Sequence, residues 1–465
     1  MSDKPQAESP QPTYDLVIRN GTIVTAEAVY QADIAVSGEA IAAVGRDLHG
    51  RRELDATGHY VIPGGIDIHV HLEMPIGAFT STDDFYHGTR AAAFGGTTAI
   101  VDFVETRPEE TMLDALAARQ ARAAGKVTID YGLHMTIGPT DIAKLDQVSD
   151  ARAAGCGSFK LYMAYGLRLT DGQLLQALEA AGRAGALPVV HAENWDVITT
   201  LIGRNLAAGR TTPHWHPRSR PPELEAEATG RAIDIATWLG VPLHIFHVSC
   251  ADTAGRIAAA KARGLPVYGE TCPQYLYLTQ DLYDRPGVEG ALPVCSPPLR
   301  AAEHRDALWR ALVAGDLDLV TTDHCPFTAA EKAGGLADYS RIPGGVPSIE
   351  SRVALVYDGL VNRAAGSRED GLRRWVDVCA TTPARLLGFG RKGRLLPGYD
   401  ADIVIFDPEA SHVVSVESLH ETCGWTPYEG QVLRGLPVTT ISRGEIIADH
   451  GQWFGAPGRG RFVPR

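Results

Sequence analysis

The chain has 465 residues, of which 45% are hydrophobic and 21% charged, and its net charge is −13. That length and composition suit a large buried core and more than one domain, not a disordered polymer. The acidic balance argues against nucleic acid or an anionic membrane as the main partner, and no apolar stretch is long enough to span a bilayer.

Residues 1–13 are polar and contain proline, with no hydrophobic centre. They predict a mobile tail rather than a secretory signal. Residues 14–60 alternate short apolar runs with turns: Tyr14-Asp-Leu-Val-Ile-Arg-Asn-Gly21, Ala32-Asp-Ile-Ala-Val-Ser-Gly38, Ile41-Ala-Ala-Val-Gly45. These read as antiparallel strands. The texture returns after Arg391, in Asp402-Ile-Val-Ile-Phe-Asp407, Val438-Thr-Thr-Ile-Ser442 and Glu445-Ile-Ile-Ala448. Neither end is large enough to bury a core alone, so residues 14–60 and 391–465 are predicted to join in one small β-sandwich. The last stretch, 458–465, is expected either to cover a neighbouring subunit or to be loose.

Residues 61–390 differ in texture. Eight apolar runs fall at 66–71, 97–104, 128–137, 158–165, 187–193, 243–249, 267–271 and 317–323. Helix-like stretches separate most of them, including 114–124, 171–184, 223–238 and 251–263. Repeated strand–helix units imply a parallel sheet, and eight of them over this length predict an α/β fold, a TIM (β/α)8 barrel.

Chemistry in such a barrel sits at the C-terminal ends of the strands. The first run ends in His69-Val70-His71, behind Gly64 and Gly65, which suggest a turn or a close backbone approach. In a strand, residues i and i+2 share a face, so both imidazoles can point at one metal ion. The spacing alone is a weak signal. His214-Trp215-His216 repeats it among prolines and arginines, where no strand is expected, and is set aside as a decoy. Lys160 lies inside an apolar run, where an unpaired charge is costly. His191, His247 and Asp323 end the fifth, sixth and eighth runs. Four histidines, a lysine and an aspartate therefore converge on one rim. His244 has the opposite parity to His247, and His324 points away from Asp323; both read as structural. Tyr162, Leu169, Met74 and Ile76 either wall a pocket or belong to the core. The seven cysteines are scattered singly with no Cys-x-x-Cys, which argues against a disulfide framework or zinc knuckle and fits a reducing cytoplasm. Cys325 lacks an activating arrangement and reads as a packed thiol.

From Tyr14 onward the chain resembles the amidohydrolase superfamily, and within it the dihydropyrimidinase/hydantoinase group. The motifs that carry the resemblance are His69-Val-His-Leu-Glu-Met-Pro75, Thr82-Asp-Asp-Phe85, Gly88-Thr-Arg-Ala-Ala-Ala-Phe-Gly-Gly-Thr-Thr98, Ser158-Phe-Lys-Leu-Tyr-Met-Ala-Tyr165, Arg220-Pro-Pro-Glu-Leu-Glu-Ala-Glu-Ala228, Gly269-Glu-Thr-Cys-Pro-Gln274 and Ser296-Pro-Pro-Leu-Arg300. The resemblance implies two divalent metal ions, normally zinc. His69, His71 and Asp323 would bind one and His191 and His247 the other, with Lys160 carbamylated on its amine and bridging both. Ligands of this kind suit zinc but also manganese, cobalt or iron. The implied reaction is attack of a metal-bridging hydroxide on a ring amide, with Asp323 as proton shuttle and Tyr165 as donor to the oxyanion. Ser296 matches the position that binds the ring through its backbone.

Where the family carries Ile-Pro-Asn-Gly-Val, this chain has Ile342-Pro-Gly-Gly-Val346, with Gly344 in place of the asparagine. Glycine there preserves main-chain contact and enlarges the pocket. The expected activity is opening of dihydropyrimidines or 5-substituted hydantoins to N-carbamoyl amino acids. The rival is an allantoinase or another cyclic ureide or imide hydrolase. Dihydroorotase fits less well, because its family carries arginine just after the His-x-His, where Leu72 stands. A metal-free scaffold fits least, since every ligand position is filled. The resemblance also implies a homotetramer acting on a small molecule, without nucleic acid or membrane.

Overall fold

The computed structural model describes residues 13–465, so the predicted tail, apart from Thr13, lies outside it. The N-terminal segment supplies β1 (Tyr14–Val24), β2 (Val29–Ser37), β3 (Ala40–Gly45), β4 (Gly50–Asp55) and β5 (Tyr60–Pro63). Then come β6 (Gly65–Asp67), a small hairpin of β7 (Pro75–Ile76) and β8 (Phe79–Thr80), β9 (Thr97–Val104), β10 (Asp130–Ile137), β11 (Ser158–Tyr162), β12 (Leu187–His191), β13 (Leu243–Ile245), β14 (Val267–Thr271) and β15 (Leu319–Val320). The C-terminal segment adds β16 (Ile403–Val413), β17 (Val432–Ser442), β18 (Glu445–Asp449) and β19 (Gln452–Trp453). No helix among the described residues is long and apolar enough to cross a membrane.

The two termini form one continuous sheet in the order β19-β18-β17-β16-β5-β1-β2-β3, with β4 paired to β1. Its apolar side chains, among them Ile18, Ile34, Val61, Ile403 and Ile441, pack into one core. β5 lies between β16 and β1, so Val61–Pro63, expected in the barrel, pair in this sheet instead. The chain then passes through Gly64, whose missing side chain lets the backbone press against Thr98.

All eight expected middle strands are present, in the parallel order β6-β9-β10-β11-β12-β13-β14-β15. β9 and β10 are buried along their whole length, as strands covered on both faces must be. Several strands stop short of their predicted ends. β6 ends at Asp67, β13 at Ile245 and β15 at Val320. Between β15 and β6 the ring is closed by side chains. Thr322 donates its N–H and its hydroxyl to the Asp67 carboxylate, at 3.2 and 2.6 Å. Beyond them the His71 N–H donates to the His324 carbonyl at 2.8 Å.

At the other end of the barrel Lys392 ties the two sheets together. Its Nζ reaches Asp130 of β10 and Asp402 at 2.7 Å each, and Asp400 at 3.1 Å. Residues 458–465 pack against this chain's own barrel, where the Arg461 carbonyl accepts the Tyr131 N–H at 2.9 Å and the Val463 N–H donates to the Tyr131 carbonyl at 2.8 Å.

Removing one partner of a buried ion cluster leaves uncompensated charge. Lys392→Met is therefore expected to destabilise the fold by about 3–5 kcal/mol at pH 7, read by denaturant unfolding. Burial opposes the Asp130 charge, but Lys392 and Arg443 hold its pKa below the usual carboxylate value. A carboxylate depressed in the folded state contributes stability above its unfolded pKa, about 3.9, and loses it as pH falls further. The penalty should therefore shrink below about pH 4; a pH-independent penalty would show that packing, not charge, carries it.

Candidate active site

His69 and His71 lie in the extended stretch just past β6, and Asp323 lies just past β15. The Nε2 atoms of both histidines stand 3.1 Å from Asp323 Oδ1. These three donor atoms lie within 4.8 Å of one another. Lys160 is the middle residue of β11, His191 ends β12, and His247 follows β13 by two residues. The His191 and His247 ring centroids are 4.5 Å apart, and those of His69 and His247 5.5 Å. All six residues line one cavity of about 780 Å³, together with Tyr165, Ser296 and Gly344. The tight triad holds only His69, His71 and Asp323; Lys160, His191 and His247 stand around it.

Burial sets the protonation of this cluster. It pushes the pKa values of His71, His191 and His247 down, so their imidazoles are neutral. Burial opposes a charge on His69 too, but Asp323 and Glu270 outweigh it and raise the pKa. Burial also opposes ionised Asp323, yet His69 and His71 hold it well below the usual carboxylate range. The Lys160 amine is pushed down by burial to about 7. Its Nζ sits 3.9 Å from the Phe246 ring centroid. Nδ1 of His247 is buried with no hydrogen-bond partner. Neutral imidazoles at His71, His191 and His247, an ionised carboxylate and a buried amine pushed toward its neutral form are a donor set that fits divalent cations.

Buried carboxylates aim the rings. Glu270 Oε1 lies 2.6 Å from His69 Nδ1, which leaves Nε2 facing Asp323, while Oε2 lies 3.0 Å from His244 Nε2. Burial opposes the Glu270 charge, but His69 and its neighbours bring the pKa down to about 2. Glu193 Oε2 takes His191 Nε2 at 2.8 Å and Arg220 Nη1 at 2.7 Å. Neither Glu193 nor Glu270 stands out in the sequence. The available signal is an acid within, or two residues beyond, a largely buried strand. His324 is held by Asp83 at 2.9 Å, which fits its structural reading.

His214 and His216 lie in no strand and in no cluster of metal-ligating side chains among the described residues, yet one of them reaches the site. His216 lies on a short helix, Trp215–Arg218, and lines the cavity, with Nε2 2.8 Å from the Cys295 carbonyl. Met74, Ile76 and Tyr162 also line the cavity, whereas Leu169 packs in the core beside it. Tyr165, His247 and Asp323 share an unusual backbone state, with φ of 67°, 39° and 50°. Such positions cost non-glycine residues about 1–3 kcal/mol each and persist where surroundings enforce them. Burial pushes the Tyr165 phenol up to about 12, so at neutral pH it is a proton donor.

The model of the amidohydrolase family matches residues 60–447. The chain belongs to the amidohydrolase family. It is 44% identical over 456 residues to a D-hydantoinase of Geobacillus stearothermophilus, covering 97% of this chain and 96% of that one. The crystal structure of a dihydropyrimidinase from Brevibacillus agri superposes with a TM-score of 0.93 at 43% identity, covering 97% and 98% of the two chains. An L-hydantoinase (dihydropyrimidinase) from Arthrobacter aurescens gives 0.90 at 30% identity, covering 97% and 100%.

Carboxylates that orient metal-binding histidines typically contribute 10–100-fold to metal affinity. Glu270→Gln keeps an acceptor for His69 but removes the charge. It is expected to weaken metal binding by about that factor with the fold intact, measured by competition with a chelator. Unchanged affinity would mean that Glu270 only fills space.

Proposed function

We propose that the protein hydrolyses the ring amide of 5-substituted hydantoins or dihydropyrimidines, releasing N-carbamoyl amino acids. The observation that carries this reading is the ionised Asp323 against His69 and His71, with His191, His247 and a buried lysine amine on the same cavity, in a chain so similar to hydantoinases over nearly its full length.

Two divalent cations, zinc in this reading, would be held by His69, His71 and Asp323 and by His191 and His247, with Lys160 carboxylated on its amine as the bridge. When bound they supply Lewis acidity and lower the pKa of water toward about 7. The chain's own residues do the rest. Asp323 Oδ takes the proton of the attacking water and returns it to the leaving ring nitrogen. The Tyr165 hydroxyl donates to the carbonyl oxygen as it gains charge. Ser296 and Gly344 face the ring through their main chains. Met74, Ile76, Trp195 and Ile202 give the cavity an apolar side that excludes water and receives the ring's substituent. That side favours apolar 5-substituents over the polar ureide of allantoin. Seven free, buried cysteines support a reducing compartment, and the resemblance supports a cytoplasmic homotetramer.

The direct test is turnover of 5-phenylhydantoin, dihydrouracil and allantoin by the metal-loaded protein. The first two are expected to be opened; turnover of allantoin alone would overturn the assignment. Lys160→Ala should lose bound metal and activity together, by metal analysis and assay of the same sample. Full activity without Lys160 would rule out the bridge.

Gly344 is not demanded by the fold. The nearest atoms to a Cβ there would be Ser296 Oγ at 3.7 Å and the Cys295 Cα and Ser296 N at 3.9 Å, which are ordinary contacts. Gly344→Asn should keep wild-type stability while changing the KM ratio between 5-phenylhydantoin and dihydrouracil by roughly tenfold. An unchanged ratio would take residue 344 out of substrate recognition.

A further inference from the structure

Lys332 lies outside the machinery described above, and it is wholly buried. Its electrostatic neighbours are the thiols of Cys295, Cys325 and Cys423, with no carboxylate among them. A buried amine without an acid is costly unless hydrogen bonds offset its desolvation. Here they do. Nζ donates to the carbonyls of Val294 and Gly345, both at 2.7 Å.

Those carbonyls belong to the two strips of backbone that form one wall of the cavity. Val294 leads into Cys295 and Ser296, and Gly345 follows Gly344. The Gly345 N–H also donates to the Val294 carbonyl, at 2.9 Å. On its other side the second strip runs against the extension of β15, where the Cys325 N–H donates to the Val346 carbonyl at 3.3 Å. Gly345 sits at φ 148°, and a Cβ there would strike the Cys325 carbonyl, so the strip approaches as closely as backbone can. The anchor of Lys332 is itself fixed. It stands on the short helix Ala329–Ala333, where Thr328 and Glu331 cap each other reciprocally and the Lys332 N–H donates to the Thr328 carbonyl at 3.1 Å.

We infer that Lys332 is a positioning residue for substrate: its amine sets the separation of the Ser296 and Gly344 main chains, between which the ring's amide edge is held. This rests on the substrate reading of the cavity given above. The wall grips the ring in ground state and transition state alike. Its loosening therefore raises KM more than it lowers kcat.

Lys332→Met removes the donors at nearly constant length, and Lys332→Gln keeps a shorter N–H donor. With zinc-loaded protein and 5-phenylhydantoin, the Met variant is expected to raise KM about tenfold with kcat within about twofold of the parent. The Gln variant should fall between them, and both should carry the parent's metal content. A folded Met variant with the parent's KM overturns the inference. So does a loss confined to kcat and metal content, which would place Lys332 in support of the metal centre. Failure of both variants to fold would assign the amine to stability alone and overturn it too. The unmodified protein is assayed first. If it opens no hydantoin or dihydropyrimidine, the proposed function fails on its own evidence, before any variant is read.

Discussion

The site depends on how the barrel closes. β6 and β15 share no ladder, and the join is made by the buried Asp67 carboxylate accepting two hydrogen bonds from Thr322 and, beyond it, by an isolated bridge between Val70 and His324. Arg352 braces the same place, with Nε 3.7 Å from Asp67 and further bonds to the Val320 carbonyl and the Thr97 hydroxyl. Asp67 stands two residues before His69, and Thr322 one residue before Asp323. The bonds that shut the ring therefore also bring both histidines of the first strand against the aspartate of the last.

Electrostatics then decide which side chains are tolerated at the mouth. Buried imidazoles are cheap when neutral and useful when aimed, and each aim needs a partner for the nitrogen that does not face the centre. Glu270 and Glu193 supply it for His69 and His191. Both acids stay ionised despite burial, Glu270 mainly through His69 and Glu193 mainly through Arg220. The buried negative charge is therefore spread over three carboxylates, which suits a site built to hold cations.

The parts legible in the sequence are those whose signal is local. The run 97–104 reads as a strand because both its faces are buried, and His69 and His71 stand out because i and i+2 share a face. Strand ends were less legible. Lys160 and His191 lie within ladders, but His247 and Asp323 lie past the ends of β13 and β15, and hydrophobic pattern carries no mark of that. Val61 continues the apolar texture of the barrel entry, yet pairs with Ile405 and Ile23 in the other sheet. Roles that depend on distant partners were not legible at all. Glu270 acts on a histidine 201 residues away, and His216 on a carbonyl 79 residues away.

Chemistry and recognition are held by different means. The side chains around the triad issue from strands and strand extensions, whose positions the whole barrel enforces. The wall at Ser296 and Gly344 has the short bridge at Val346 and one bond between its own strips, from the Gly345 N–H to the Val294 carbonyl, and is further pinned by side chains, with Lys332 on two carbonyls and His216 on a third. Such a wall can be reshaped by a single substitution without moving a metal-facing group. Gly344 shows this from the other direction, since the fold leaves room for a side chain that the sequence does not supply. The volume left open there lies against Ser296, so in the proposed reading the choice of glycine bears on which ring fits and not on whether the barrel folds.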